Sequence, residues 1–124
     1  MAEGWTNYDA RLQYQQYDVT DDLLDGENVI AALLTDGWYR GALGADNRRN
    51  KFGTKTALAA RLEIGYEDGS TECIETDESW MASQNGPIRE GDLKLNEVYD
   101  ARLEMPGWNK RGYVCDKNWH GPRR

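Results

Sequence analysis

An adjacent aspartate and asparagine, Asp46 and Asn47, followed at once by Arg48 and Arg49, are the residues of this chain best suited to ligand chemistry. Carboxylate and amide oxygens are hard donors of the kind calcium accepts, and guanidinium groups donate several hydrogen bonds to hydroxyl oxygens. The later turn Asn85-Gly86-Pro87 adds the Asn85 amide oxygen and the Pro87 main-chain carbonyl, provided the fold brings the two loops together. A calcium ion held by Asp46, Asn47, Asn85 and Pro87 keeps positions open for water or for the vicinal hydroxyls of a sugar. Trp38 and Tyr39, set among Gly37, Gly41 and Gly44, place flat apolar faces with polar edges just before this loop. The candidate sugar contacts are therefore Trp38, Tyr39, Asp46, Asn47, Arg48 and Asn85. Asp46 and Asn47 can equally shape a turn through side-chain to backbone hydrogen bonds, and on residue types alone both readings stand.

Other chemistries find less support. Asp18, Asp21, Asp22, Asp25 and Glu27 gather around one turn and Asp77-Glu78 around another, a pattern of solvated acidic rims rather than of an acid and a second carboxylate facing each other across a glycosidic bond. His120, near the C-terminus, reads as an exposed tail residue. No nucleophile motif and no glycine-rich phosphate loop is present, so no catalytic residue is assigned. Cys73 and Cys115 could form one disulfide, but their spacing suits neither a metal site nor a redox pair. Cys73 falls in a strand pattern where a small apolar residue would serve, which favours reduced, structural thiols.

With 124 residues the chain is one domain long. A net charge of −7 opposes the phosphate backbone of nucleic acid. No apolar run approaches the roughly 20 residues of a bilayer span, and the opening MAEGWTNYD lacks the basic and apolar regions of a signal peptide. The expectation is a soluble chain without an export signal, a membrane or a nucleic-acid partner. Five Trp and seven Tyr against one Phe favour half-wet surfaces, where ring faces and polar edges suit sugars.

The elements that must position these residues are short and mostly extended. Residues 12–19 alternate loosely, 20–24 could form one helical turn capped by Thr20, and Asp25-Gly26 closes it. Residues 28–34 contain the unbroken run Val29, Ile30, Ala31, Ala32, Leu33, Leu34, the length of a strand buried inside a sandwich. A polar loop spans 41–55. Residues 57–66 alternate Leu58, Ala60, Leu62, Ile64 and Tyr66 toward one face, Glu67-Asp68-Gly69-Ser70 turns the chain, and 71–76 return as the second strand of a hairpin. Short strands are expected at 79–82 and 97–103. The reading divides the chain into a β-sandwich at 1–104 and an irregular tail at 105–124.

Trp5 with Tyr8-Asp9, LQYQQYDVTDDLLDGENVI, DGWYRGALG, ALAARLEIGYEDGS, TDESW, GPI and YDARLEMPGW occur in the order found in the N-terminal β-sandwich domain of bacterial α-L-rhamnosidases, which the chain resembles over nearly its whole length. The resemblance implies an all-β, jelly-roll-like sandwich of the galactose-binding-domain type, accompanying a separate helical-barrel catalytic domain. Some such domains hold L-rhamnose through calcium with an adjacent Asp and Asn, which Asp46-Asn47 would match. The usual opening strand, a YINGKKVG-like segment, is expected to be missing, as is the barrel. The leading expectation is a non-catalytic carbohydrate-binding or accessory domain. The alternatives are a purely structural or oligomerisation domain that binds no sugar, and a small independent carboxylate-dependent glycosidase. A sandwich without its opening strand has an unpaired sheet edge, so a homodimer is expected, through edge pairing or exchange of an N-terminal segment.

Overall fold

A computed structural model of the chain describes residues 6–122, so Trp5 and the Gly4 loop lie outside the described residues. The chain is all-β, and the regular structure of its described residues is two antiparallel hairpins, one α-helical turn and two 3-10 turns. Strand β1 (Arg61–Gly65) pairs with β2 (Thr71–Glu75) in the register Leu62 to Ile74 and Glu63 to Cys73. The alternation expected for 57–66 survives in β1, where Leu62 and Ile64 are half-buried and their neighbours exposed. Its turn is held by the Tyr66 N–H donating to the Ser70 carbonyl (2.9 Å) and by the Asp68 carboxylate, which accepts from both the N–H and the hydroxyl of Ser70. Gly69 adopts φ +86°, a conformation that favours glycine.

Strand β3 (Ile88–Asp92) pairs with β4 (Asn96–Tyr99), with an irregularity between Ile88 and Glu90. The strand expected at 97–103 therefore ends at Tyr99 and passes into a 3-10 turn, Ala101–Leu103. The Asp100 side chain causes this break, since it accepts from the Arg102 N–H and offers the backbone an alternative to the ladder. Residues 79–82 form no strand; only Ala82 pairs, in an isolated bridge with His120. His120 is exposed, as expected, and its backbone is tied to Ala82 by that bridge. Both thiols are free and exposed. The helical turn near residue 20 is a 3-10 turn, Thr20–Asp22, whose start is held by Asp18, accepting from the Thr20 N–H, rather than by Thr20 itself.

Residues 28–34 form no helix or strand and join no sheet. Among the described residues Val29, Ile30, Leu33 and Leu34 are all exposed. An unbroken apolar run reports that both faces of a strand are destined for burial; it does not say which strand lies beside it. The whole chain exposes 10492 Å². A folded monomer of 14.2 kDa exposes roughly 6,800 Å² by size scaling, so this chain leaves much apolar surface uncovered.

Among the described residues, Gly41, Ala42 and Asp92 are buried. Asp92 Oδ2 accepts from the Ala42 N–H at 2.8 Å, and Oδ1 accepts from the N–H groups of Lys94 (2.8 Å) and Leu95 (3.1 Å). Burial pushes the Asp92 carboxyl upward, but these three donors and the Arg49 guanidinium outweigh it and hold the group below the ordinary carboxylate value. The contribution of Asp92 to stability is then full above the unfolded-state value of about 3.9 and is lost as the pH falls through the lower folded-state value. Asp92→Ala should lower stability by about 2–3 kcal/mol in urea unfolding at neutral pH, because three N–H groups lose their charged acceptor. Asp92→Asn should lose less of its remaining stability than the parent chain between about pH 5 and pH 2, measured by circular dichroism.

Candidate functional site

The helical turn α1 (Gly37–Arg40) introduces the candidate loop. Gly37 takes φ +49°, which lets the chain turn directly out of the 28–34 segment. Asp36 stands at the start of α1 and pairs with Arg40 (3.3 Å) and with Arg49 (2.5 Å), so both ends of the loop are drawn to one carboxylate. Arg49 also approaches Asp92 at 3.7 Å. The loop itself is a small bridged hairpin: the Leu43 N–H donates to the Arg48 carbonyl (2.9 Å), and the Asn50 N–H donates to the Arg40 carbonyl (2.8 Å). Lys94, beyond β3, donates from Nζ to the Gly44 carbonyl.

Asp46 and Asn47 occupy the four-residue turn between the bridged positions Leu43 and Arg48. Asn47 adopts φ +53°, a left-handed conformation that asparagine tolerates, so part of its role is to close the turn. The Asp46 carboxylate pairs with Arg48 Nε at 2.6 Å, and both side chains are well exposed. Asp46, Asn47 and Arg48 are thus brought together on one solvent-facing turn.

Trp38 remains partly exposed. Tyr39 does not face the loop's ligand side. It packs edge-on to Tyr8 (5.5 Å between centroids), beside Phe52 (6.4 Å), and lies against Gly53, where any β-carbon would collide with the phenol. Tyr39 is therefore part of an aromatic cluster that packs this side of the loop.

Asn85 and Pro87 lie elsewhere. The Pro87 carbonyl accepts from the Asp100 N–H at the open end of the β3–β4 hairpin. The Asp46 turn is tied to the opposite end through Lys94 and Asp92. The strand rise separates the two ends of β3 by about 13 Å, whereas two oxygens sharing one calcium ion lie within about 5 Å of each other. Pro87 instead borders a cleft of about 240 Å³ with Tyr99, Glu104, Met105 and Trp108. A calcium ion at the turn would thus draw on Asp46 and Asn47 and complete its shell with water or ligand hydroxyls. Among the described residues no group of three or more His, Cys, Asp or Glu side chains is arranged to hold a metal by itself. The two oxygen donors of this turn fall well short of a full calcium shell on their own.

Asp36, Gly53 and Asp92 organise this region together with Arg49 and were not marked by residue type alone. The signal for Asp92 is the tetrad Asp92-Leu93-Lys94-Leu95 closing a hairpin, a place where an aspartate bonds backbone N–H groups two and three residues on. Among the described residues no helix is long and apolar enough to cross a membrane.

The α-L-rhamnosidase N-terminal domain model matches residues 1–124. The α-L-rhamnosidase of Streptomyces avermitilis is 43% identical over 119 residues, covering 96% of this chain and 11% of that protein. An α-L-rhamnosidase of an Alteromonas species is 37% identical over 119 residues, covering 96% of this chain and 13% of that protein. The crystal structure of the Streptomyces avermitilis α-L-rhamnosidase complexed with L-rhamnose superposes with a TM-score of 0.64 at 40% identity, over 71% of this chain and 8% of that one. The chain thus spans roughly a tenth of the length of these relatives. The match, together with the strand content, assigns the sandwich class that the two hairpins alone leave incomplete.

Gly53→Ala tests the packing of the loop on its aromatic support. The added methyl should displace Tyr39 and lower stability by about 1–3 kcal/mol, with loss of near-ultraviolet circular dichroism from the cluster.

Proposed function

The chain belongs to the α-L-rhamnosidase N-terminal domain family, and from that premise we propose that it serves as a non-catalytic accessory domain for rhamnoside recognition or processing. The observation that carries this reading is the position of the match, which takes in nearly all of this chain and about a tenth of each relative. Four of the domain's carboxylates are engaged in turn and loop structure: Asp18, Asp68 and Asp77 each accept from the residue two positions on, and Asp92 is enclosed by backbone donors. Carboxylates used in this way are poor candidates for an acid and nucleophile flanking a glycosidic oxygen. The chain alone should release no leaving group from an aryl α-L-rhamnoside above the protein-free rate. Release that disappears on replacing one carboxylate would refute the accessory reading.

A finer reading assigns the Asp46–Arg48 turn to L-rhamnose, with calcium shared between the protein and the sugar. It is favoured by the exposed carboxylate and amide side by side on a rigid bridged loop, and by L-rhamnose in the crystal of the Streptomyces relative. Arg48 leaves the Asp46 carboxylate when the ion arrives and is then free to donate to a hydroxyl. Trp38 is the aromatic face within reach along the chain. Calorimetry should record weak L-rhamnose binding that needs calcium and vanishes with chelator. Asp46→Ala should abolish it without altering the circular dichroism spectrum, because the residue lies on an exposed turn. Asn85→Ala should leave it unchanged. Equal affinity with and without chelator would discard the ion.

A further inference from the structure

The loop that carries the Asp46 turn is cationic on an acidic chain. Residues 44–55 hold Arg48, Arg49, Lys51 and Lys55 against the single acid Asp46, a net charge of +3 where the whole chain carries −7. Part of that positive charge is answered inside the fold, since Arg49 is held by Asp36 and Asp92, and Arg48 by Asp46. Lys51 and Lys55 are not answered in this way. Neither is Lys94, which the β3–β4 turn brings to the loop across 50 residues of chain. All three lysines are exposed, and none makes an ion pair among the described residues. Lys51 Nζ stands over the Phe52 ring at 5.3 Å, a contact that leaves its charge in place.

Lys94 is bonded to the turn itself. Its Nζ donates to the Gly44 carbonyl, and a β-carbon at Gly44 would lie 3.2 Å from Asp46 Oδ1, so the ammonium and the carboxylate flank one glycine without pairing to each other. Resting on the reading of this turn as a saccharide site, we infer that the saccharide it takes is acidic. A uronic acid unit places its carboxylate on Lys94, its hydroxyls fall to Asp46 and Asn47, and Lys51 and Lys55 add attraction along the loop.

The charge pattern favours a single carboxylate over a polyanion. Three unpaired lysines make a local patch, while the chain as a whole repels extended negative polymers. The lysines are exposed, so the discrimination they give between a uronic acid and its neutral sugar is modest and sensitive to salt. Their field reaches about 30 Å at an ionic strength of about 0.01 M and only about 8 Å at about 0.15 M.

Calorimetry in the presence of calcium compares a rhamnosyl-glucuronic acid disaccharide with its carboxyl-reduced counterpart, rhamnosyl-glucose. The acid should bind about five- to tenfold more tightly at an ionic strength of about 0.01 M, and the ratio should fall to about twofold or less at about 0.15 M. Lys94→Gln keeps a donor for the Gly44 carbonyl but removes the charge, and should cut the low-salt ratio by at least about threefold; Lys94→Arg should restore it. Both affinities are measured on the same variant, so a loosened turn, which weakens the two disaccharides alike, leaves the ratio unmoved. Equal affinities in the unsubstituted protein overturn the inference and leave the L-rhamnose site standing. A preference that ignores salt or survives Lys94→Gln also overturns it, because the carboxylate is then held by calcium or at another place. If Lys94→Gln unfolds the chain, the doubly substituted K51Q/K55Q chain and the salt dependence decide, and a ratio unchanged by both overturns the inference. Binding of neither disaccharide overturns it together with the reading of the turn as a saccharide site.

Discussion

The rest of this domain hangs on one buried carboxylate. Asp92 closes the β3–β4 hairpin from inside by accepting from Lys94 and Leu95, and it reaches across to the Ala42 N–H, 50 residues earlier in the chain. A charged group takes this position only because its oxygens are surrounded by donors whose hydrogen bonds outweigh the cost of leaving water. Through Ala42 it fixes the start of the bridged loop, and through Arg49 it connects to Asp36 and α1. Arg49 thus spans two carboxylates, and the loop between Arg40 and Asn50 is closed by charge as well as by backbone bonding.

This arrangement makes the Asp46 turn a rigid display rather than a flexible arm. The turn stands between the paired positions Leu43 and Arg48, is fastened by Lys94, and rests on a loop whose far side is packed by Tyr39, Phe52 and Gly53. The apparent pairing of the two candidate loops dissolves for the same reason. The hairpin that supports Asp46 at one end carries Pro87 at the other, and its rigidity keeps them apart.

A domain representing about a tenth of its relatives need not form a self-sufficient core. Here the described strands make two separate ladders, and the strongest apolar run in the chain lies outside both. Hydrophobic burial is the main favourable term in folding, so surface left bare in this way sets a strong bias toward association.

By itself the sequence determined the features governed by neighbours along the chain. The period-two pattern Leu62, Ile64 and the Asp68-Gly69 turn dictated the β1–β2 hairpin, because alternation and turn chemistry are local. The long motifs identified the family for a similar reason, being contiguous runs of residues. Asp46 and Asn47 were legible as a turn, and the structure places them in one, with Asn47 left-handed and Asp46 paired to Arg48. Only the tertiary structure decided matters that depend on distant partners. It withdrew Tyr39 into an aromatic cluster, separated Asn85 and Pro87 from Asp46, and gave the central role to Asp92, whose composition-level reading is one acid among many. It also left 28–34 without a ladder, since an apolar run encodes the need for burial while hydrogen-bond partners are supplied by whatever strand the fold sets beside it.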